Sequence, residues 1–198
     1  MSTRPTSPAL GARYDRRREE VVDEAARVFA RHGYAETSVQ QLAAGLGIAA
    51  GGIYHYFESK QGLLVAICET IMDPLLEQAR ELVAGPTPEA EQLRILVGLW
   101  VAQVIDRREH MLVFQQQRHV IDGSREWRAA RTDRKAFEGL VDDVLARDEA
   151  AGRIVGDRRL ALSALLGMVN HTAQWYRPRG ALSAQQIADG YVELLRGG

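Results

Sequence analysis

Cysteine is almost absent from the sequence, since Cys68 is the only one in 198 residues. A single cysteine excludes an internal disulfide framework, and its place in the apolar stretch LLVAIC predicts a buried thiol in a reducing cytoplasm. Runs of 18 apolar residues are also missing, so we expect no membrane span, and residues 1–18 lack the apolar segment of a secretory signal. Because neither an HxxxH nor a CxxC pattern occurs, we expect no metal ion and no cofactor.

The sequence also lacks an excess of either charge, with a formal net charge of −1. A protein that coats nucleic acid would be more basic. The charge is uneven, however, because residues 1–18 carry five arginines and only one acidic residue, Asp15. We predict that residues 1–15 form a flexible basic arm and that Arg17 and Arg18 contact DNA. The alternative, which the charge alone leaves open, is a solvated tail that binds nothing.

Strand patterns and internal repeats are missing as well, whereas apolar residues recur at helical spacing in almost every segment. Val22, Ala25, Ala26 and Phe29, for example, fall on one face of a helix. We therefore predict an all-α fold of about nine helices. Pro74 lies within the predicted fourth helix, where its ring predicts a kink or a break.

The predicted helices form two groups by length, three short ones followed by about six longer ones. The boundary lies near Ser59, so we predict a small domain over residues 16–58 and a larger domain over residues 59–198. A unit as small as the first has little core of its own. We expect it to share the fourth helix with the larger domain.

Two of the short predicted helices, Ser38–Gly45 and Ala50–Tyr56, are joined by a tight turn at Gly47. In the stretch Thr37-Ser38-Val39-Gln40 a hydroxyl residue is followed three positions later by glutamine, which predicts a capping box at the start of the first helix. Two short helices around such a turn are a candidate helix-turn-helix.

Aromatic residues with polar tips strengthen this interpretation, because Tyr54, His55 and Tyr56 follow one another in the second helix of the pair. Lys60 comes next, at the start of a helix, where a cation and backbone N–H groups together favour a phosphate. In these features residues 16–65 resemble the DNA-binding domain of the TetR family of transcriptional regulators. The matching residues are Ala25-Ala26, Phe29, Gly33-Tyr34, Thr37-Ser38-Val39, Leu42-Ala43, Leu46-Gly47-Ile48, Gly51, Ile53-Tyr54, Tyr56-Phe57, Ser59-Lys60 and Leu63-Leu64.

The resemblance implies a homodimer that binds a near-palindromic double-stranded DNA operator, with an all-helical ligand-binding and dimerisation domain after the helix-turn-helix. It implies that the helix at Ala50 enters the major groove, that Tyr54 and Tyr56 reach phosphates, that Gln40 reaches toward the bases and that His55 faces base edges or the DNA backbone. Ile53 and Phe57 are then core residues. With the two arginines, the candidate DNA-binding residues are Arg17, Arg18, Thr37, Ser38, Gln40, Ala50, Gly51, Gly52, Tyr54, His55, Tyr56 and Lys60.

Three positions depart from the family pattern. Ala49 stands where the family often has a serine that caps the helix, and Gly52 stands where it often has serine or threonine. Gly62 replaces the acidic residue of the usual capping box near Ser59. The first two departures leave few side chains for base recognition, so Gln40 and His55 carry much of it.

The C-terminal segment Met168–Leu195 is similar to the last helices of actinobacterial TetR members that control fatty-acid and sterol degradation, many of which respond to acyl-CoA thioesters. Two apolar terminal helices from each chain can form a four-helix interface around a two-fold axis. The alternative is that the same residues belong to the core of one chain. The candidate dimer residues are Leu165, Met168, Thr172, Tyr191 and Leu195.

A ligand cavity is expected where large apolar side chains alternate with a few polar ones. Arg118 and Arg131 lie in apolar-rich helices and could pair with a phosphate or carboxylate of a ligand. The alternative for each arginine is a solvated face or a surface ion pair. The candidate ligand-binding residues are Trp100, Gln103, Val104, Phe114, Gln115, Arg118, His119, Trp127, Arg131, Phe137, His171 and Trp175.

The function predicted from the sequence is a ligand-responsive DNA-binding regulator, a repressor that a small apolar or acyl-CoA-type effector releases from its operator. One alternative is a helical DNA-architectural or adaptor protein without an effector. An enzyme is the other, but Ser163 and His171 are eight residues apart on one predicted helix, too far for a hydrogen bond. No nucleophile elbow occurs either, so we predict that the protein is not an enzyme.

Overall fold

Nine α-helices and no strand make up the part of the chain that the computed structural model describes, residues 7–117 and 127–197. The predicted all-α fold of about nine helices is thereby confirmed. No helix in these two ranges has the length and apolar character needed to cross a membrane. The helices are α1 (Pro8–His32), α2 (Val39–Gly45), α3 (Ala50–Tyr54), α4 (Lys60–Ala84), α5 (Glu89–Asp106), α6 (Arg108–Gln116), α7 (Arg128–Ala150), α8 (Arg158–Trp175) and α9 (Ala184–Arg196).

The first helix begins at Pro8, so the prediction of a flexible arm over residues 1–15 is wrong from residue 8 onward. Proline suits the first position of a helix because its ring sets the backbone angle and its missing N–H has no intrahelical partner there. The backbone N–H of Gly11 donates to the carbonyl of Ser7 at 2.7 Å and closes the first turn. The arginines between Pro8 and Arg18 therefore lie on an ordered helix.

The capping box of α2 lies one residue later than predicted. The Ser38 hydroxyl accepts from the Gln41 N–H at 3.2 Å, and the Gln41 side chain accepts from the Ser38 N–H at 2.7 Å. Thr37 is only 3% exposed, and its hydroxyl donates to the carbonyl of Gly33 at 2.7 Å. The side chain of Thr37 is therefore not placed to contact DNA, which corrects its assignment.

A single core runs through both halves of the chain, with α4 at its centre. α4 packs against α1 on the side of the short helices and against α5, α6 and α7 on the other side, while α5 packs against α8 and α9. Phe29 and Leu63 are among the fully buried residues of this core. Cys68 is buried, as predicted, and burial raises the pKa of its thiol to about 12.

α4 continues through Pro74, so of the predicted kink or break the break does not occur and the kink stays a prediction. Proline has no N–H, which leaves the carbonyl of Thr70, four residues earlier, without its helical donor. The side-chain amide of Gln103 on α5 donates to the Thr70 carbonyl at 3.1 Å and to the Ile71 carbonyl at 3.3 Å. Gln103, a candidate ligand residue, is therefore occupied in supporting α4 at its proline.

Candidate nucleic-acid interface and effector cavity

A tight turn sets the angle between α2 and α3. Gly47 has φ of +64°, a left-handed conformation that glycine adopts without steric cost. The N–H of Ile48 donates to the carbonyl of Ala43 at 3.0 Å and fixes the turn. Ile53 on α3 and Leu42 on α2 are buried, which holds the two helices against the rest of the core.

The outer face of α3 begins at Gly51. A Cβ atom at Gly51 would have no neighbour within 4 Å, and the Tyr54 side chain is 52% exposed. Gly52 is half-buried, and a Cβ atom there would lie 3.3 Å from Cδ1 of Ile48. Of the two glycines, Gly51 therefore offers the open backbone surface, whereas Gly52 lies against Ile48. α3 ends at Tyr54, two residues earlier than predicted.

A cluster of three aromatic rings joins α1 to the end of α3. The ring of Tyr14 lies 5.8 Å from that of His55 and 5.0 Å from that of Tyr56, and His55 and Tyr56 meet edge to face at 5.1 Å. Tyr14 was missed as a site residue because its segment was expected to be flexible. It holds two of the predicted DNA-binding side chains in place.

The arginines of α1 divide between two faces. Arg17 donates to Glu20 at 2.5 Å and to the carbonyl of Leu46 at 3.4 Å, which ties α1 to the turn before α3. The guanidinium of Arg18 lies 4.8 Å from the centre of the Phe57 ring, and Arg18 lines a surface pocket between α1 and α4. Arg17 and Arg18 therefore line different surface pockets, and the DNA contact of Arg18 stays a prediction.

A surface pocket of about 590 Å³ lies between α1 and the end of α3, and it is rich in arginine. Arg13 and Arg16 are exposed in it, although they were not predicted as site residues. Their spacing of three residues would have indicated a shared face if the helix had been extended to Pro8. The pocket is lined by Leu10, Arg13, Tyr14, Arg16, Arg17, Glu20, His55 and Tyr56.

Lys60 lies between the start of α4 and the loop before α2. Its ammonium donates to the carbonyl of Ala35 at 3.3 Å and lies 4.3 Å from the centre of the Tyr34 ring. Burial lowers the pKa of Lys60, and the nearby Glu36 carboxylate acts in the opposite direction. The remaining predicted DNA residues lie at the surface: Ser38, Gln40, Gly51, Tyr54 and His55 are exposed, and Arg17, Ala50, Gly52, Tyr56 and Lys60 are half-buried.

The larger group of helices lines a cavity of about 440 Å³ that is partly open at the surface. Of the candidate ligand residues, it brings together Trp100, Phe114, Gln115, Phe137 and His171. Sequence reasoning missed the other lining residues because apolar periodicity does not distinguish a cavity wall from solid core. They are Ile71, Met72, Leu75, Met111, Arg134, Glu138, Ser163, Leu166, Gly167 and Asn170.

The other candidate ligand residues lie elsewhere. Val104 and Trp127 are fully buried away from the cavity, and Arg131 is not among its lining residues. Trp175 is exposed beside α9 in a surface groove. Arg118 and His119 lie outside the described residues.

Arg134 is the one lysine or arginine among the residues that line the cavity in the described part of the chain. Its Nε lies 3.6 Å from the Glu138 carboxylate. Also in the lining, Gln115 donates to the carbonyl of Asn170 at 2.5 Å. The cavity thus has apolar walls with a small group of hydrogen-bonding side chains, which is typical of sites for small organic molecules.

The predicted dimer residues lie mostly on the inner faces of α8 and α9. Leu165, Thr172 and Leu195 are buried within the chain, and the Thr172 hydroxyl lies 2.8 Å from the hydroxyl of Tyr191. Met168 is half-buried. The burial of Leu165, Thr172 and Leu195 corrects their assignment, because the sequence of α8 is apolar almost all round and does not indicate which face points outward. For the half-buried Met168 and Tyr191 the assignment stays a prediction. The large apolar residues exposed here are Leu160, Trp175, Leu182 and Leu194.

Comparison with known proteins gives matches over nearly the whole chain. Residues 21–67 match the family described as "Bacterial regulatory proteins, tetR family", and residues 86–198 match "Tetracyclin repressor-like, C-terminal domain". The HTH-type transcriptional repressor KstR2 of Mycolicibacterium smegmatis is 26% identical over 98% of this chain and 93% of its own length.

Two solved structures are similar over most of their length. The ketosteroid transcriptional regulator KstR2 of Mycobacterium tuberculosis superposes with a TM-score of 0.83, is 26% identical and covers 92% of this chain and 94% of its own. AibR, solved in complex with isovaleryl coenzyme A and operator DNA, gives a TM-score of 0.77 at 26% identity, with 91% of this chain and 98% of AibR covered. Both similarities extend through the helix-turn-helix and the cavity-bearing helices.

Proposed function

Because this chain belongs to the TetR family and is a DNA-binding transcriptional regulator rather than an enzyme, we propose that it is a dimeric repressor released from its operator by an apolar effector. The observation that carries the proposal is the combination of an exposed α3 face, open at Gly51, with a separate cavity of about 440 Å³. Such a repressor would act in the cytoplasm, where its DNA is.

In this proposal α3 enters the major groove, and its backbone at Gly51 comes close to the DNA. Tyr54 and Tyr56 would donate hydroxyl hydrogen bonds to phosphates, while His55 would face base edges or the backbone. Arg13 and Arg16, on the same side of α1 as the aromatic cluster, would lie along a neighbouring phosphate. Phosphate contacts set the position of α3, and the few base contacts set its sequence preference.

We propose that a second copy of the chain covers the exposed apolar face of α8 and α9. Leu160 and Leu194 are each 70% exposed, and a Cβ atom at Gly190 would have no neighbour within 4 Å, which leaves room for close helix packing. Isolated exposed leucines are common, but several on two adjacent helices indicate an interface. A two-fold dimer would place two copies of α3 in successive major grooves, about 34–36 Å apart.

Leu160→Glu and Leu194→Glu together are expected to convert the dimer to a monomer, because the interface would bury two unpaired carboxylates per chain. Sedimentation equilibrium at micromolar concentration measures the mass. Ile95→Glu is the control, because Ile95 is an exposed apolar residue on α5, outside α8 and α9. It should leave the mass unchanged. A wild-type protein that sediments as a monomer, or a double variant that stays dimeric, would contradict the proposed interface.

The cavity suits an effector with an apolar body and one anionic or hydrogen-bond-accepting group. Trp100, Phe114 and Phe137 provide the apolar wall, and Arg134 provides the cation. KstR2 is described as a ketosteroid regulator and AibR was solved with isovaleryl coenzyme A, which supports an apolar or acyl-CoA-type effector. The charged nucleotide of a coenzyme A thioester could not lie among these rings, so only the acyl end would enter the cavity.

Arg134→Met is expected to weaken the binding of an anionic effector by about tenfold or more, because a charge-assisted contact contributes roughly 1.5–3 kcal/mol. A panel of acyl-CoAs, the matching free acids and neutral steroids, tested by thermal shift, identifies the binder, since a ligand of the native state raises the melting temperature. Isothermal titration then compares the variants.

Arg131→Met is the matched control, since Arg131 lies one turn earlier on α7 and does not line the cavity. Equal affinity in both variants would show that Arg134 does not contact the effector. If no compound of the panel raised the melting temperature, the result would favour the alternative of a DNA-architectural or adaptor protein without an effector.

A further inference from the structure

A polar junction joins α1 to the start of α6. The Asp23 carboxylate accepts a hydrogen bond from the Arg107 guanidinium at 3.0 Å, and Nε2 of His110 lies 3.2 Å from the same oxygen. Arg107 is the residue between α5 and α6, where the backbone leaves the α-helical conformation with φ of −108° and ψ of 40°. We call Asp23, Arg107 and His110 the α1–α6 junction.

The His110 ring is enclosed, with only 4% of the residue exposed. Burial lowers the pKa of the imidazole, the Arg107 guanidinium lowers it further, and the carboxylates of Asp23 and Glu109 act in the opposite direction. Asp23 is much more exposed than His110. The junction therefore has one enclosed side chain, His110 on α6, and two accessible ones, Arg107 and Asp23.

On the α6 side, the junction is one residue away from the cavity wall. Met111, Phe114 and Gln115 line the cavity, and His110 directly precedes Met111. α6 has only nine residues. Because so short a helix moves as a rigid unit, a shift of Phe114 against an effector also shifts His110.

On the DNA side, the junction acts on the helix that supports α3. Arg17 of α1 donates to the carbonyl of Leu46 in the turn, and Tyr14 of α1 packs on His55 and Tyr56. Val22, next to Asp23, is buried in the shared core. A displacement of α1 at Asp23 is therefore passed on to the aromatic cluster and to the turn before α3.

We propose that the α1–α6 junction holds the DNA-binding helices at a fixed orientation to the cavity, so that an effector alters operator affinity through it. The proposal rests on the proposed function, and Asp23, Arg107 and His110 are positioning residues in it. Both sites bias one element, which is the physical requirement for coupling between them. A partly exposed ion pair adds little to stability, so its main effect is on orientation.

Operator affinity without any effector is the first readout. The operator is the duplex that the wild-type protein selects from a random pool. Asp23→Asn and His110→Gln should each weaken operator binding by about tenfold. Without the junction, the two copies of α3 in the proposed dimer are held less firmly, and binding to DNA must fix their orientation again. The double variant should lose no more operator affinity than the single variant with the larger loss, since both changes break the same junction.

Arg94→Gln is the matched control, because Arg94 pairs with Asp189 at 2.9 Å but joins α5 to α9, away from α1. It should bind the operator like the wild type. The melting temperature of Asp23→Asn should fall by no more than about 2 °C, as for other exposed pairs. Unchanged operator affinity in Asp23→Asn, or additive losses in the double variant, would overturn the proposal.

A second readout needs neither DNA nor effector. Spin labels at Gly51→Cys and Gly139→Cys, two exposed sites with open space around the added side chain, measure the distance from α3 to α7. Dilution with unlabelled protein restricts the signal to one chain, and buried Cys68 does not compete for label. The distance distribution should be narrow in the wild type and broad in Asp23→Asn.

The two readouts separate the two proposals. A wild-type protein that selects no sequence from the pool would refute the proposed function, while the distance measurement would still decide whether the junction fixes the orientation of α3. If His110→Gln fails to fold, Asp23→Asn provides both readouts alone. Equal distance distributions in the wild type and Asp23→Asn would overturn the proposal that the junction fixes the orientation of α3, whatever the operator-binding measurement gives.

Discussion

Gly51→Asp should weaken operator binding by at least about 100-fold, roughly 2.7 kcal/mol, without loss of the fold. The added carboxylate would lie at the open start of α3, where no atom of the chain comes within 4 Å, so nothing inside the protein is displaced. An acidic residue near a helix N-terminus stabilises the helix slightly. On DNA, however, the same carboxylate would face phosphates and hold the backbone away from the base edges.

Fluorescence anisotropy with the labelled operator measures the loss, and circular dichroism with thermal melting checks the fold. Gly139→Asp, at an exposed site on α7 with the same open space, controls for a glycine-to-aspartate change within a helix. Gly52→Ser should have a smaller effect on operator affinity than Gly51→Asp, because its side chain lies beside Ile48. If Gly51→Asp bound the operator as tightly as the wild type, α3 would not be the recognition helix.

Asp148→Ala should lower the free energy of unfolding by about 3–5 kcal/mol, the usual cost of removing one partner from a buried ion pair. Asp148 is fully buried. Its carboxylate accepts from Arg153 at 2.7 Å and from Arg196 at 2.7 Å, and Arg196 also donates to the carbonyl of Ala90. The substitution would leave two guanidinium groups without their anion and release the end of α9 from α7 and α5.

Urea denaturation followed by circular dichroism measures the change at fixed protein concentration, since the proposed dimer makes stability concentration-dependent. Glu89→Gln is the control, because Glu89 forms a long, exposed contact of 3.8 Å with the neighbouring Arg147. It should change the free energy of unfolding by no more than about 0.5 kcal/mol. A loss of similar size in the two variants would mean that Asp148 does not act as the anchor of α9.

The helix-turn-helix could be predicted from the sequence because its signals are local. Gly47, the serine at the start of α2 and the apolar residues of α2 and α3 each act within a few positions. Pro8 is such a signal too, because proline suits the first position of a helix. The predicted arm did not take it into account and was therefore wrong over residues 8–15. The predicted domain limits, 16–58 and 59–198, stay a prediction.

The cavity and the outer face of α8 could not be predicted in the same way. Trp100 lines the cavity, whereas Trp127 lies in solid core, and the difference depends on how helices distant in sequence pack. Gln103 resembled a polar residue of a binding site, but its amide replaces the donor that Pro74 lacks. On α8, Leu165 and Leu160 are equally apolar, and only the packed structure shows that the first faces inward.

The proposed repressor function depends most on sequence-specific DNA binding, so the decisive quantity is the ratio of two dissociation constants. Fluorescence anisotropy at about 0.15 M salt would compare the duplex selected by the wild-type protein with a scrambled duplex of equal length and composition. We predict that the selected duplex binds at least about 1,000-fold more tightly, the lower range for specific regulators. Equal affinity for the two duplexes, or no enrichment of any sequence, would contradict the proposed function.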